Sequence, residues 1–128
     1  MDVDRQSITA PDAPAPIGAY SHAVTAGGLL FCSGQIPLDP QTGELVGDTE
    51  AQQAQRCLEN LAAVCAAAGT SLDRAVRTTV YLVDLGAFAE VDEVYGTFFT
   101  GDPPARVAIG VAALPRGAQV EIDAIVAL

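Results

Sequence analysis

Between Thr49 and Ala68, apolar residues return at the spacing of one helical face: Ala51, Ala54, Leu58, Leu61, Cys65 and Ala68. Gln52, Gln53, Gln55, Arg56, Glu59 and Asn60 fill the other, polar face. Thr49 and Gln52 have the spacing of a capping box, in which each side chain satisfies a backbone N–H of the first turn. Gly69 supplies the C-terminal stop. A helix with a single apolar stripe must lay it on another element, and the segments on either side of it read as strands.

On the N-terminal side, Ser21 to Ala26 and Leu29 to Ser33 flank Gly27-Gly28, the pattern of a tight hairpin whose turn needs positive φ. Pro37 to Gly43 is a turn-rich loop. On the C-terminal side, Val76 to Val83 is rich in β-branched residues and reads as a strand. Asp84 is placed to cap a second helix carrying Phe88, Val91, Tyr95 and Phe98 on one face, and Gly101, Pro103 and Pro104 end it. Ala105 to Val111 and Gln119 to Leu128 are two further strands, joined through Leu114 to Gly117. Each Pro between Ala10 and Pro16 fixes φ and disfavours helix before it, so this piece reads as an extended lead-in. The order is β-β-α-β-α-β-β, an α+β arrangement with both helices on one face of a sheet. The second face then needs its own cover, and association between copies is the natural solution.

Composition narrows the function. The chain has 128 residues and a formal charge of -10, with six Arg, no Lys and sixteen acidic residues. Such a surface repels phosphate backbones, which disfavours nucleic acid as a partner. Without Lys, no side-chain amine can form a Schiff base with pyridoxal phosphate, so no cofactor of that kind is expected. No apolar run is long enough to cross a bilayer. Met1 to Thr9 carries Asp2, Asp4 and Arg5 and lacks the pattern of a secretory signal, so a cytoplasmic protein without membrane contact is expected. Cys32, Cys57 and Cys65 form no CxxC pair and read as reduced core thiols. With His22 the only His, no metal site is expected.

Few residues are suited to chemistry. Arg106 sits in an uncharged run, Pro103-Pro104-Ala105-Arg106-Val107-Ala108-Ile109-Gly110, where a guanidinium needs a partner. Its planar fork fits a carboxylate, although a strand-edge Arg paired with a surface acid gives the same pattern. Glu121 and Asp123 share a strand face by the two-residue period. Glu121 could deprotonate a water if that face lines a pocket, or simply be solvated. The Tyr20 phenol could donate to a carboxylate or pack as an interface aromatic. Ser33-Gly34-Gln35 follows a strand and offers a hydroxyl and backbone N–H groups, or is only a turn.

Several of these segments recur together in one family. Pro16-Ile17-Gly18-Ala19-Tyr20-Ser21, Cys32-Ser33-Gly34-Gln35-Ile36-Pro37, Thr42-Gly43-Glu44, Arg77-Thr78-Thr79-Val80-Tyr81-Leu82, Phe98-Phe99, Pro104-Ala105-Arg106 and Val120-Glu121-Ile122-Asp123-Ala124 occur in this order. From about Ala13 to the C-terminus the chain resembles the RidA (YjgF-like) family. The resemblance implies one RidA-like domain over residues 1–128, with 1–12 a flexible N-terminal lead-in. It implies a fold similar to the trimeric chorismate mutases: a mixed β-sheet backed by two helices, in a barrel-like homotrimer with clefts between subunits. It implies cofactor-independent hydrolysis of 2-imino acids and their enamine tautomers, such as 2-aminoacrylate, to 2-oxo acids and ammonia. By the same resemblance Arg106 grips the substrate carboxylate, Glu121 positions the attacking water, and Tyr20 closes the cleft. Ser33 and Gly34 line it, joined by Asp92 and Ala108. The chain departs from the family at four of these places: Ala19 for a common Pro, His22 for a common Gln, Asp92 where active members often have Asn, and Ala108 for a frequent Cys. A non-catalytic module binding a small carboxylate such as a 2-oxo acid is the alternative on the same fold.

Overall fold

The computed structural model describes residues 4–128. Its strands are β1 (Gln6–Ile8), β2 (Ala23–Ala26), β3 (Leu29–Gln35), β4 (Ala75–Leu82), β5 (Ala105–Gly110) and β6 (Val120–Ala127); its helices are α1 (Glu50–Ala67) and α2 (Phe88–Gly96). The six strands form one mixed sheet in the order β1-β2-β3-β6-β4-β5. β6 lies antiparallel between β3 and β4, and β5 runs parallel to β4 along the far edge, reached through α2 as the crossover. The β2–β3 hairpin turns at Gly27 and Gly28, with φ of 59° and 77°.

β1 corrects one expectation. Residues 6–8 belong to the sheet rather than to a flexible lead-in, pairing Ser7 with Val24 and Ile8 with Ala23. Only Ile8 of this strand packs against the core. Three residues at an exposed edge offer too little alternation to mark a strand. Residues 1–3 of the expected lead-in lie outside the described residues.

The sheet has two unlike faces, set by the two-residue period. Leu30, Cys32, Val80, Leu82, Val120, Ile122, Ala124 and Val126 point toward the helices and are buried. There they meet Ala54, Leu58, Leu61, Val64 and Cys65 of α1 and Val91 and Tyr95 of α2 in one continuous core. A fully buried Leu, Ile or Val contributes about 1.5–3 kcal/mol, so this layer supplies most of the stabilisation. Cys57 is fully buried, and its thiol donates to the Val120 carbonyl at 3.6 Å. Burial pushes the Cys57 thiol pKa up. The opposite face carries Val24, Phe31, Arg77, Thr79, Tyr81, Glu121, Asp123, Ile125, Val107 and Ile109, with Phe31 and Ile109 respectively 43% and 40% exposed. Among the described residues, no helix or strand covers it.

α1 carries the expected capping box, with the Thr49 side chain accepting from Gln52 N and the Gln52 side chain returning to the cap. Its polar face differs from the sequence reading. Gln53 and Asn60 are buried, because each is bonded to loop backbone. Gln53 donates to the Gly47 carbonyl at 3.2 Å and accepts from Gln119 N at 2.8 Å. Asn60 Nδ2 donates to the carbonyls of Leu38 at 3.0 Å and Ile36 at 3.4 Å. These amides pin the two loops that border the cavity described next. The second helix also starts later than expected. Asp84 accepts from Gly86 N and caps a short 3-10 turn over Leu85–Ala87, and α2 follows from Phe88.

Candidate active site

Glu121, the second residue of β6, projects on the uncovered face, opposite Tyr81 of β4. Across from it β3 is irregular. Cys32 pairs with Ala124 and Gln35 with Ile122, so Ser33 and Gly34 together oppose Asp123. This bulge brings Gly34 against the Glu121 carboxylate. A Cβ on Gly34 would lie 2.0 Å from Glu121 Oε2, so only Gly fits beside the carboxylate as it stands. The Ser33 hydroxyl donates to the Ser21 carbonyl at 2.6 Å, and Ser33 N donates to the His22 carbonyl at 3.0 Å.

His22 anchors the segment that brings Tyr20 to the same place. The ring is buried; Nδ1 accepts from Ala10 N at 2.9 Å and Nε2 lies 2.8 Å from the Pro14 carbonyl. This pairing requires the tautomer with its proton on Nε2. Beyond the clamp, Ile17 N donates to the Tyr20 hydroxyl at 3.1 Å and Tyr20 N donates to the Gly18 carbonyl at 3.0 Å. The Tyr20 O–H keeps its own proton available to a ligand.

Ile17, Tyr20, Ser33, Gly34, Ile36, Pro115 and Glu121 surround a cavity of about 220 Å³. Its walls are mostly apolar and its one carboxylate is half-buried. Burial first, and then the nearby Asp123 charge, raise the Glu121 pKa above the ordinary carboxylate range. Asp123 is itself satisfied by Thr79 N at 3.1 Å and the Tyr81 hydroxyl at 3.0 Å.

Arg106 is elsewhere. It pairs with Thr78, whose side chain is buried on the helix side, so Arg106 and Glu121 project from opposite faces of the sheet. The guanidinium lies between the rings of Phe88 and Tyr95, 5.1 Å and 4.9 Å from their centroids. Tyr95 is held there by a 2.6 Å hydrogen bond between its hydroxyl and that of Thr78. Arg106 Nη1 also donates to Asp92 Oδ1 at 2.5 Å. Arg106 and Asp92 line a second cavity of about 410 Å³ with Tyr95, Gly96, Phe99, Pro103 and Pro104. Ala108 follows on the Arg106 side of β5 and packs against the core.

Thus the chain gathers Tyr20, Ser33, Gly34 and Glu121 around one cavity and Arg106 and Asp92 around another. Reading the sequence alone misses Ile17, Ile36 and Pro115 as cavity walls and assigns Tyr95 and Phe88 only to the core. It also misses the structural use of His22. The aromatic residues at i and i+7 before an isolated strand Arg were the available signal for the Arg106 platform. Among the described residues, no group of three or more His, Cys, Asp or Glu side chains is arranged to hold a metal.

A family described as Endoribonuclease L-PSP (Ribonuc_L-PSP) matches residues 10–128. The chain belongs to the RidA (YjgF-like) family. Among RidA-family relatives, Protein DfrA of Myxococcus xanthus is 55% identical over 123 residues, spanning 94% of each chain. The 2-iminobutanoate/2-iminopropanoate deaminase of Rattus norvegicus is 46% identical over 121 residues, spanning 94% of this chain and 88% of its own. The crystal structure of E. coli TdcF with bound serine superposes with a TM-score of 0.90 at 40% identity, covering 96% of this chain and 98% of that one. Imine-handling deaminase activity is typical of the RidA family.

Proposed function

We propose that copies of this chain associate through the uncovered sheet face as a cytosolic homotrimer, that Arg106 of one copy thereby faces the Glu121 cavity of a neighbour, and that the completed cleft hydrolyses 2-imino acids to 2-oxo acids and ammonia. Glu121 carries the proposal: a half-buried carboxylate with a raised pKa, lying against the side-chain-free Gly34 in a mostly apolar cavity. A carboxylate whose pKa is raised toward the working pH is a better general base. The exposed apolar residues of the open face, Phe31 and Ile109 among them, support burial against another copy. The deaminase name of the rat relative and the serine held by TdcF support a small α-substituted carboxylate as ligand.

The chemistry follows from the groups available. The Arg106 fork holds the substrate carboxylate, and the Tyr20 O–H donates to it. This leaves the imine carbon facing Glu121, which takes a proton from water as the oxygen attacks. The carbinolamine then collapses, returning a proton to nitrogen and releasing ammonia and the 2-oxo acid. An imine is already reactive, so fixed orientation supplies most of the acceleration. RNA cleavage is not part of the proposal: the net charge is -10, and both nitrogens of His22 face backbone partners.

A non-catalytic carboxylate-binding module is a second reading, favoured by one observation: Asp92 already sits on Arg106. The two readings separate by assay. 2-Aminoacrylate or 2-iminobutanoate is generated in situ with a dehydratase or an amino-acid oxidase, and its loss is followed with and without the protein. Acceleration that disappears in Arg106→Ala and Glu121→Gln supports the deaminase. Ligand binding without acceleration rejects it in favour of the module.

A further inference from the structure

We infer that Asp92 is a specificity-determining residue that makes the Arg106 site select zwitterionic substrates, 2-imino acids in their protonated iminium form, over anionic 2-oxo acids. The inference rests on the reading of Arg106 as the carboxylate anchor.

The geometry is specific. Asp92 Oδ1 is 2.5 Å from Arg106 Nη1, and the guanidinium is held between Phe88 and Tyr95 rather than free in solvent. The side chains of Arg106 and Asp92 are respectively 27% and 48% exposed, so the pair opens into the cavity it lines. A guanidinium offers five N–H donors in a fixed fork. Among the described residues, Asp92 is its one hydrogen-bonding side-chain partner. An edge with two parallel N–H groups therefore remains for a second carboxylate.

Charge decides what that second carboxylate should carry. Arg106 and Asp92 together are neutral. A bound 2-oxo acid leaves the site with one net negative charge and two carboxylates on a single guanidinium. A 2-iminium acid brings its own positive charge one carbon from its carboxylate, and that charge faces Asp92 favourably. At roughly 6 Å in a partly solvated cavity, the difference corresponds to about tenfold in affinity. The same preference serves turnover. The iminium is the more electrophilic form, and its reaction with water gives a neutral carbonyl and ammonium: R₂C=NH₂⁺ + H₂O → R₂C=O + NH₄⁺. The product left on Arg106 is then the anion that Asp92 disfavours, so it leaves. With Asn at this position the guanidinium keeps its full charge and holds either species.

The test measures two dissociation constants by calorimetry, for 2-oxobutanoate as the anion and for 2-aminobutanoate as a stable zwitterion. The wild-type protein should favour the amino acid by about tenfold. Asp92→Asn should tighten 2-oxobutanoate by about tenfold and move the amino acid by no more than about twofold. Asp92→Glu, which restores the charge, should return the wild-type ratio. The 2-oxobutanoate inhibition constant for imine hydrolysis should follow the same order. If Asp92→Asn shifts both ligands equally, or neither, the selectivity role of Asp92 is overturned. Arg106→Ala identifies where a failure lies: loss of both ligands leaves the anchor intact and isolates the failure to Asp92, whereas unchanged binding overturns the anchor itself. Should Asp92→Asn melt early, Asp92→Ser repeats the comparison at the same position.

Discussion

Replacing Gly34 with Ala moves the carboxylate on which the proposed chemistry depends and disturbs little else. The new Cβ would stand 2.0 Å from Glu121 Oε2 and 2.9 Å from Glu121 Cδ, where contacts under 3.0 Å essentially never occur. The carboxylate must withdraw by about 1 Å or more. The three nearest atoms all belong to the end of the Glu121 side chain, which can swing into the cavity, and Gly34 is outside the left-handed region. Ala is thus tolerated by the backbone and narrows the unfolded ensemble, so stability should change by less than about 1 kcal/mol. Catalysis should not be spared, because misplacing a reacting group by about 1 Å costs on the order of 10²-fold. Imine loss in the coupled oxidase assay, read beside a denaturant melt, should show kcat/KM down by about a hundredfold in a fold of nearly unchanged stability. Adding Gly34→Ala to Glu121→Gln should then cost almost nothing more. A Gly34→Ala protein with wild-type turnover would refute the positioning argument, and so would full additivity of the two substitutions.

Three further outcomes follow from the same geometry. The Glu121 carboxyl titrates above its ordinary value in the folded protein, so folding takes up protons there and its contribution to stability falls as pH rises through that window. Glu121→Gln should therefore melt higher than wild type above the window, with the advantage vanishing below the ordinary glutamate range; a variant that melts lower at neutral pH would contradict this. Asn60→Ala leaves the Leu38 and Ile36 carbonyls without their donor and should lower unfolding free energy by about 1–3 kcal/mol in urea, where a change near zero would show that the amide does not pin the loop. Tyr95→Phe keeps the ring beneath Arg106 but removes the bond to Thr78, so it should lose about 1 kcal/mol of stability with KM changed less than about threefold, whereas Tyr95→Leu should raise KM clearly.

How far this molecule could be read in advance depended on whether a residue acts through local pattern or through distant contact. The α1 helix, its Thr49 cap and the Gly27-Gly28 hairpin were legible because propensity, periodicity and capping all act within a few residues. β1 was not, since a three-residue edge strand is specified by β2 and not by itself. Gln53 and Asn60 read as solvent-facing because their type is polar; their burial depends on carbonyls of loops far away in the chain. At the site, the residue types were readable and their grouping was not. Glu121 and Arg106 were singled out on separate strands, but only the pairing with Tyr81 and with Thr78 reveals that they leave opposite faces. Gly34 looked like a turn residue, and its use is the room it leaves for Glu121. Of the two sequence readings of Arg106, the pairing with a surface acid is present, with Asp92 as that acid.

Subunit complementation tests the central claim most directly. Arg106→Ala and Glu121→Gln chains, each inactive alone, are unfolded together in equal amounts, refolded, and checked for mixed assemblies by native mass spectrometry. If each cleft takes Arg106 from one copy and Glu121 from another, random mixing restores both groups in about one cleft in four, and about a quarter of wild-type imine hydrolysis returns. Mixed assemblies that stay inactive, or single variants that hydrolyse imines unaided, would contradict a cleft completed between copies.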